Sequence, residues 1–320
     1  MPGSNIILAF ESSCDDTCCA VLRNGVTLSN VISSQIDIHK LYGGVVPEIA
    51  SRNHAMAILG VAREAITQAE VTLADVTEVA GTTEPGLRGA VMCGQIFAES
   101  LAHALNVPFC PVNHLAAHIV SPLCARKSIA AAPKFPILSL LVSGGHTALY
   151  LVRAWSDIQL VTQTADDAIG EAFDKVAKIL GLPYPGGVRI EALAREYCGG
   201  DHVKFVQKPS KKESFSFSGL KTAVLSYLSK ATERDLPFIC ASFQREATAQ
   251  LTSIIIKYLA QNPSIKTLFV GGGVSANQYI RATITDAIAP YGVSVYFPQP
   301  EFCTDNAAMV ALAAYFGAEM

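Results

Sequence analysis

Short apolar runs that end in polar or glycine-rich turns recur along this chain. An apolar run covers residues 6–10, the polar segment 11–17 follows, and a second apolar run covers 18–22. The arrangement returns over 136–152, where two apolar runs flank Ser-Gly-Gly-His-Thr at 143–147. Runs of this length predict buried β-strands, and the segments between them predict tight turns.

A third apolar run, at 267–270, leads through three glycines towards a helix at 277–281. Glycine accepts positive φ angles and lets bare backbone amides approach a ligand, so such turns are candidates for phosphate binding. An ordinary hairpin loop is the alternative for any single Gly-Gly turn. The recurrence of the pattern favours ligand binding.

Segments with helical spacing of apolar residues separate these turns. They cover residues 47–70, about 89–105, 165–181 and 237–261. In the third, Asp166 and Asp167 lie near the start, where acidic side chains suit the helix dipole. Helices that alternate with strands predict an α/β fold, and the repeat predicts two similar lobes with a ligand cleft between them, faced by all three turns.

A chain of 320 residues, half of them hydrophobic, exceeds what one core usually supports. We predict an N-terminal lobe at 1–131, a C-terminal lobe at 132–300, and a terminal helix at 301–320 that returns to the N-terminal lobe. No apolar run approaches the roughly 20 residues that a membrane span needs. With no leader peptide at the N-terminus, we expect a cytoplasmic protein.

The net charge of −3 argues against a protein that binds nucleic acid through its overall field. One segment, 201–221, is locally basic, and it predicts either a solvated loop or a contact to a phosphate backbone. Its lysines are Lys204, Lys208, Lys211, Lys212 and Lys221. The nine cysteines contain no CxxC pair, so we expect reduced thiols and no structural zinc site.

His114 and His118 have the i, i+4 spacing that places two imidazoles on one helix face, as in metal-chelating pairs. The residue after His114 is Leu115, so the glutamate of an HExxH peptidase is missing. Asp305 is the candidate third ligand, with a helix N-cap as its alternative role. Two histidines and a carboxylate suit iron(II) or zinc.

Nine ordered motifs together resemble one family, the tRNA N6-adenosine threonylcarbamoyltransferases of the bacterial type (TsaD), formerly labelled O-sialoglycoprotein endopeptidases. The motifs are Glu11-Ser-Ser-Cys-Asp15, Tyr42-Gly-Gly-Val-Val-Pro-Glu48, His114-x3-His118, Leu141-Val-Ser-Gly-Gly-His146, Gly170-Glu-Ala-Phe-Asp174, Tyr184-Pro-Gly-Gly187, Ser216-Phe-Ser-Gly-Leu-Lys221, Gly271-Gly-Gly-Val-Ser-Ala-Asn277 and Phe302-Cys-Thr-Asp-Asn306. The resemblance implies the fold of the actin, sugar-kinase and heat-shock ATPase superfamily.

The resemblance also implies an activity, which is transfer of a threonylcarbamoyl group from threonylcarbamoyl-AMP to N6 of adenosine 37 in tRNAs that read ANN codons. It implies one divalent metal per chain, Fe²⁺ first and Zn²⁺ second, held by His114, His118 and Asp305. The residues that it implies for adenylate binding are Leu141, Val142, Ser143, Gly144, Gly145, Asp174, Gly187, Glu191 and Asn277.

The implied partners are tRNA, a paralogous dimerisation partner (TsaB-like) and a small P-loop ATPase (TsaE-like), without a membrane. Glu11 or Asp15 is expected to take the proton from the attacking amine. The alternatives are a metallopeptidase, an ATP-dependent small-molecule kinase of the same superfamily, and a non-enzymatic nucleotide-binding regulator.

Some positions depart from the family pattern. Glu84 stands where glycine or alanine usually precedes Pro-Gly, and Asn113 stands where many members carry a further histidine. Val188 and Arg189 replace a proline-led sequence after Gly187. None of these departures falls on an expected metal or nucleotide position.

Overall fold

The computed structural model describes residues 4–124, 133–205, 214–230 and 235–320. The strands are β1 Ile6–Glu11, β2 Asp16–Arg23, β3 Val26–Ser34, β4 Glu78–Glu84, β5 Phe109–Asn113, β6 Ile137–Val142, β7 Thr147–Ala154, β8 Asp157–Gln163, β9 Thr267–Gly271 and β10 Ser294–Tyr296. The helices are α1 Ile36–His39, α2 Pro47–Gln68, α3 Arg88–Leu105, α4 His114–Val120, α5 Ile169–Ile179, α6 Gly186–Glu196, α7 Ser218–Leu228, α8 Leu236–Gln261, α9 Gln278–Ile288 and α10 Ala307–Phe316.

The described residues divide into two compact units. The first unit contains those of 1–133 together with 152–159 and 298–320, and the second contains 134–151 and those of 160–297. These boundaries lie within three residues of the predicted ones, with one difference. Residues 152–159 belong to the first unit and not to the predicted C-terminal lobe.

The difference at 152–159 has a physical reason in the turn between β7 and β8. The Trp155 ring stacks on Phe316 of α10, with ring centroids 5.0 Å apart. The backbone N–H of Glu319 donates to the carbonyl oxygen of Trp155 over 3.0 Å. Aromatic stacking and a backbone hydrogen bond therefore attach this turn to the last helix of the first unit.

Each unit contains a five-stranded mixed sheet, and the two sheets share one strand order. The orders are β3-β2-β1-β4-β5 and β8-β7-β6-β9-β10. In the first sheet β1 pairs antiparallel with β2 and parallel with β4. In the second, β9 pairs parallel with both β6 and β10. Two similar α/β units, each opening on a strand–turn–strand, are what the sequence pattern predicts.

Every residue of β1 is buried, as expected for a central strand with both faces covered. Its side chains Ile6, Leu8 and Phe10 share one hydrophobic cluster with residues of α2 and α3. Helix α10 also contacts β1 and β2, and it is apolar around its circumference and buried from Ala307 to Ala313. The end of β1, where the polar turn begins, is therefore enclosed by packed elements.

The core of the second unit is built in the same way. Side chains of β6 (Leu138, Leu140 and Val142) pack in one cluster with apolar residues of α5 and α8. Phe173 of α5 meets Phe243 of α8 edge to face, with ring centroids 4.9 Å apart. This packing fixes the start of α5 beside the turn that follows β6.

The helix predicted over 165–181 begins later, at Ile169, so Asp166 and Asp167 precede it. Asp167 forms an ion pair with Lys175 instead, at 2.7 Å. Asp166 serves a different helix, because its carboxylate accepts hydrogen bonds from Ser216 Oγ (2.6 Å), Ser218 Oγ (2.7 Å) and the backbone N–H of Phe217 (2.8 Å). The acid assigned to the dipole of α5 therefore binds donors at the N-terminus of α7.

Two further expectations concern membrane-spanning helices and the basic segment at 201–221. Among the described residues, every helix is too short or too polar to cross a bilayer. Of the predicted basic segment, Lys208, Lys211 and Lys212 lie outside the residues that the structure describes.

We expect the substitution Asp166→Ala to lower the free energy of unfolding by about 1 kcal/mol, the usual effect of removing a carboxylate that caps a helix. Burial alone would raise the pKa of Asp166, but its bonds to Ser216, Ser218 and the α7 backbone lower it overall. The carboxylate therefore stabilises the fold at neutral pH, and this contribution is lost as the pH falls through its lowered pKa.

Denaturant unfolding of wild type and Asp166→Ala between pH 3 and pH 7 checks this expectation. Asp286→Ala, at an exposed position of α9, is the matched control. A stability difference that stays constant down to the lowest pH would contradict the capping role.

Candidate metal centre and nucleotide-binding turns

Helix α4 presents the two histidines, and the residue before it explains where the helix begins. The side-chain oxygen of Asn113 accepts hydrogen bonds from the backbone N–H groups of Leu115 (2.9 Å) and Ala116 (3.3 Å). Asparagine is a preferred N-cap, so this departure from the family pattern has a structural role. With α4 starting at His114, His118 lies one turn later on the same face, and the two ring centroids are 4.6 Å apart.

Asp305 joins these histidines from the segment before α10. The N-cap of α10 is Asn306, whose side chain accepts from the N–H of Met309 over 3.0 Å, so Asp305 does not have its alternative role. Asp305 Oδ1 lies 3.1 Å from His118 Nε2 and 3.6 Å from His114 Nε2. The structure thus brings the three predicted ligands together, with one ligand atom of each lying within 4.8 Å of the others.

Glu11 lies on the opposite side of the His114 ring. His114 Nδ1 is 2.9 Å from Glu11 Oε2, which also accepts from Thr82 Oγ1 over 2.5 Å. The other oxygen, Oε1, accepts from the N–H of Ser13 over 2.5 Å. A carboxylate behind a ligating histidine fixes which ring nitrogen carries the hydrogen, so Nδ1–H points to Glu11 and Nε2 points to the candidate metal position.

The charges of this cluster depend on one another. Burial alone would raise the pKa of Glu11, but the adjacent His114 lowers it overall. Burial alone would lower the pKa of His114, but the carboxylates of Glu11 and Asp305 raise it to about 9. Burial and the neighbouring His114 lower the pKa of His118, so this ring is neutral. With two carboxylates against one protonated ring, the site favours a cation.

The donor set fits a divalent metal. Two imidazole nitrogens and one carboxylate oxygen suit iron(II) or zinc and leave coordination positions for a substrate. Within the described part of the chain, His118 Nδ1 is buried without a hydrogen-bond partner. The neutral His118 ring is therefore held by packing and by what its Nε2 contacts, whereas His114 is oriented by Glu11.

In the second unit, three segments meet at the turn after β6. The N–H of Gly170, in the first turn of α5, donates to the carbonyl oxygen of Ser143 over 3.2 Å. A Cβ atom on Gly170 would lie 2.6 Å from that oxygen and 2.8 Å from Gly144 Cα. Gly272 has a φ of +91°, and a Cβ there would lie 2.4 Å from the carbonyl oxygen of Val142. Both glycines are required by close backbone approach.

Not all of the expected adenylate residues present side chains at this turn. Leu141 and Val142 end β6 with their side chains buried. Ser143 Oγ accepts from the N–H of His146 over 3.1 Å and so closes the turn. Gly144 and Gly145 are exposed, and a Cβ on either would meet nothing within 4 Å, so one side of this turn is open to a ligand.

The remaining expected residues connect α5, α6 and α9. Asp174 Oδ1 accepts from the N–H of Gly186 over 2.7 Å, while Gly187 follows in the first turn of α6. Glu191 Oε1 accepts from the N–H of Gln278 over 2.9 Å. Asn277 caps α9 through the N–H of Ile280, and its Nδ2 donates to Gln244. The structure therefore gives Asp174, Glu191 and Asn277 roles in holding helix starts.

Three residues of this site were not predicted from the sequence. Ser13 and Thr82 donate hydrogen bonds to Glu11, and His54 binds the carbonyl oxygen of Cys14. Ser13 lies inside a quoted motif, but Thr82 and His54 are 71 and 43 residues from Glu11 in sequence. Only the pairing of β1 with β4 and the packing of α2 bring them near. The presence of a buried polar residue on an apolar helix face was the available signal for His54.

Comparison with known proteins places the chain in a family. Residues 26–312 match the family described as TsaD: tRNA N6-adenosine threonylcarbamoyltransferase. The protein of that name from Geotalea uraniireducens is 46% identical over 319 residues, covering 96% of this chain and 90% of the relative. The chain belongs to this family. The namesake from Phocaeicola vulgatus is 44% identical, covering 97% of this chain and 93% of the relative.

Solved structures with lower identity show the fold alone. Full-length HypF in its phosphate- and nucleotide-bound form has a TM-score of 0.67 at 13% identity, covering 98% of this chain and 46% of HypF. Component A of the (R)-2-hydroxyglutaryl-CoA dehydratase from Acidaminococcus fermentans has a TM-score of 0.57 at 14% identity, covering 99% of both chains. These likenesses confirm the predicted α/β fold with two similar lobes.

We expect metal binding to the TsaD-family site to release close to one proton at pH 7. The pKa of His114 is raised to about 9 in the metal-free protein, and a metal at Nε2 needs the unprotonated nitrogen. The apparent affinity for Zn²⁺ should rise about tenfold per pH unit up to pH 9. Titration calorimetry in buffers of different ionisation enthalpy measures the released protons.

The substitution Glu11→Gln tests the cause of this linkage. It removes the charge that raises the pKa of His114, so fewer protons should be released at pH 7. Equal proton release by wild type and Glu11→Gln would contradict the assigned contact.

We expect Gly170→Ala to weaken binding of adenosine nucleotides to the second unit. The added methyl group would push against the backbone of Ser143 and Gly144, and overpacking of this kind costs about 1–3 kcal/mol. Fluorescence or calorimetric titration with AMP measures the change. Gly60→Ala is the matched control, because a Cβ at that helical position meets nothing within 4 Å. Unchanged AMP affinity in Gly170→Ala would exclude this turn from the nucleotide site.

Proposed function

We propose that this chain transfers the threonylcarbamoyl group from threonylcarbamoyl-AMP to N6 of adenosine 37 in tRNAs that read ANN codons. The observation that carries the proposal is family membership, with 46% identity to a tRNA N6-adenosine threonylcarbamoyltransferase over 96% of the chain. The convergence of His114, His118 and Asp305 supports it, because these are the positions at which the family resemblance implies a metal.

The reaction requires positioning rather than a protein nucleophile. The donor is a mixed anhydride of a carbamic acid and a phosphate, so its carbonyl carbon is already activated. The adenosine N6 attacks that carbon, the bond from carbon to the phosphate oxygen breaks, and AMP leaves with the electron pair. One proton leaves the attacking amine and must be accepted by a base.

The side chains His114, His118 and Asp305 would hold the metal, with Fe²⁺ preferred and Zn²⁺ as the alternative. When bound, such an ion supplies Lewis-acid polarisation of a carbonyl or phosphate oxygen. Glu11 orients His114 through Nδ1, and Thr82 and Ser13 hold Glu11 in turn. The protein's own contribution at this site is therefore a fixed direction for His114 Nε2.

Asp15 is the better candidate for the proton acceptor. Both carboxylate oxygens of Glu11 already accept hydrogen bonds, and this residue is 1% exposed. Asp15 is only partly buried, and its backbone oxygen is held by the N–H of Gln35 over 3.0 Å. We therefore assign proton acceptance to Asp15 and orientation of His114 to Glu11.

For the adenylate, the open backbone of Gly144 and Gly145 supports a contact to the phosphate. Asp174 is half-buried, and its carboxylate accepts hydrogen bonds from the backbone N–H groups of Gly186 and Gly187, which fix its direction for a contact to a ribose hydroxyl. The other positions in this proposal act by fixing the turns and helix starts around these groups. They are Leu141, Val142, Ser143, Gly187, Glu191 and Asn277.

The partners belong to the proposal as well. The net charge of −3 supports a protein that binds tRNA with help from other chains, which we propose to be a TsaB-like paralogue and a TsaE-like ATPase. The expected place of action is the cytoplasm, where tRNA is modified.

A transfer assay tests the function. Protein, partner proteins, synthetic threonylcarbamoyl-AMP and unmodified tRNA are incubated, and the nucleosides are analysed by mass. Wild type should form the modified nucleoside, and His114→Ala should form little because a ligand is missing. Asp15→Asn should lower kcat by about 10²–10⁴-fold, the range for loss of a general base.

Metal content and thermal unfolding of each variant serve as controls. A folded, metal-loaded wild type that forms no product would contradict the proposed function. An Asp15→Asn variant with the wild-type kcat would contradict only the assignment of the base.

A further inference from the structure

A buried row of polar side chains leads from the start of α2 to the polar turn at residues 11–17. The proposed function does not use this row. His39, His54 and Thr17 have no exposed surface, and Gln35 is 4% exposed. Buried polar atoms in folded proteins are hydrogen-bonded, so each contact of the row indicates where a hydrogen must lie.

The backbone N–H of Val46 determines which ring nitrogen of His39 carries the hydrogen and how the Gln35 amide is oriented. The N–H of Val46 lies 3.3 Å from His39 Nδ1, so Nδ1 accepts and the ring hydrogen is on Nε2. His39 Nε2–H then donates to Gln35 Oε1 over 3.3 Å. With its oxygen engaged, the Gln35 amide directs Nε2 to the carbonyl oxygen of Ala50, also at 3.3 Å.

The backbone carbonyl oxygen of Cys14 determines which ring nitrogen of His54 carries the hydrogen. His54 Nε2 lies 3.0 Å from the carbonyl oxygen of Cys14, which can only accept, so Nε2 carries the hydrogen. His54 Nδ1 then accepts from Thr17 Oγ1 over 2.7 Å, and Gln35 Nε2 lies 3.4 Å from the same nitrogen, which joins Gln35 and His39 to His54. These two hydrogen bonds require a neutral His54 ring. Burial lowers the pKa of His54, in agreement with that.

The row therefore binds two consecutive backbone carbonyl groups of the turn at 11–17, those of Cys14 and Asp15. His54 Nε2–H binds the oxygen of Cys14, and the backbone N–H of Gln35 binds the oxygen of Asp15. The neighbouring oxygen of Ser13 is bound by the N–H of Leu87 over 2.8 Å. Each peptide group around Asp15 thus has a fixed direction, while the Asp15 side chain remains partly exposed.

We propose that His54, oriented by Thr17 and supported by Gln35 and His39, is a positioning residue that fixes the direction of the Asp15 carboxylate. It acts through the backbone of Cys14 and not on the substrate. The inference rests on the proposed function, in which Asp15 accepts the proton of the attacking amine.

Two substitutions separate the two hydrogen bonds of His54. In His54→Gln, the amide nitrogen reaches the place of Nε2 and keeps the bond to Cys14. In His54→Asn, the shorter amide keeps an acceptor for Thr17 but does not reach Cys14. We expect His54→Asn to lower kcat about 10–100-fold, with the KM for threonylcarbamoyl-AMP unchanged, because a small misplacement of a catalytic group has this effect. We expect His54→Gln to recover most of that loss.

His103→Asn, at an exposed position of α3, is the matched control. Hydrogen exchange should show faster exchange of residues 11–17 in His54→Asn than in His54→Gln, with α10 equal in both. A wild-type kcat in His54→Asn, or equal losses of kcat in both variants, would overturn the proposal.

A measurement on the wild-type chain keeps the test independent of how the variants fold. Nitrogen-15 spectra of the imidazole rings should show His39 and His54 as neutral rings with the hydrogen on Nε2. A hydrogen on Nδ1 of His54 would overturn the assignment. These spectra do not involve transfer, so an inactive wild type would count against the proposed function, while the spectra would still decide the hydrogen-bond row.

Discussion

The ion pair between Glu11 and His114 is the interaction on which the first unit's site depends. Glu11 lies at the end of a strand that is buried along its whole length, so its charge is far from water. An unpaired charge at such a position is strongly unfavourable, and removing one partner of a buried pair typically costs about 3–5 kcal/mol. Thr82, Ser13 and His114 together supply the donors that make this charge tolerable.

This requirement explains why a polar turn follows an apolar strand here. Ser12, Ser13 and Thr17 are small hydroxyl residues that each bind a buried partner: Ser12 binds the oxygen of Ala90 in α3, Ser13 lies beside His114, and Thr17 binds His54 in α2. The turn is thereby attached to α2, α3 and α4. Hydrogen bonding replaces apolar packing as the source of rigidity in this part of the chain.

The second unit reaches rigidity by different means. At its turn, Gly170 and Gly272 let backbone approach backbone, and a Cβ at either position would lie closer than 3.0 Å to a backbone atom. The same strand order thus supports two candidate sites of different chemistry, one built from buried charges and one from exposed peptide groups.

The sequence predicted β1, β2, β6, β7, β9 and several of the long helices, and it singled out His114, His118 and Asp305, which the structure brings together. Apolar runs, i, i+4 spacing and ordered motifs are local signals. The predicted start of α5 was wrong. The carboxylate of Asp166 accepts hydrogen bonds from residues at the start of α7, which are 50 and more positions away in the sequence. The second role of Glu11 and the whole row through His54 were not predictable from spacing. They depend on which strands pair and on which face of α2 is buried. Neither can be determined from a short stretch of sequence.

The order of the candidate metal ligands along the chain has a consequence for how the protein is made. His114 and His118 are synthesised before the second unit, whereas Asp305 and α10 come after it and pack back on β1, β2 and α4. Domains fold as units during synthesis, from the N-terminus onwards. The unit that begins folding first is thus completed only after the other, and a nascent chain can bring His114, His118 and Asp305 together only once Asp305 has left the ribosome.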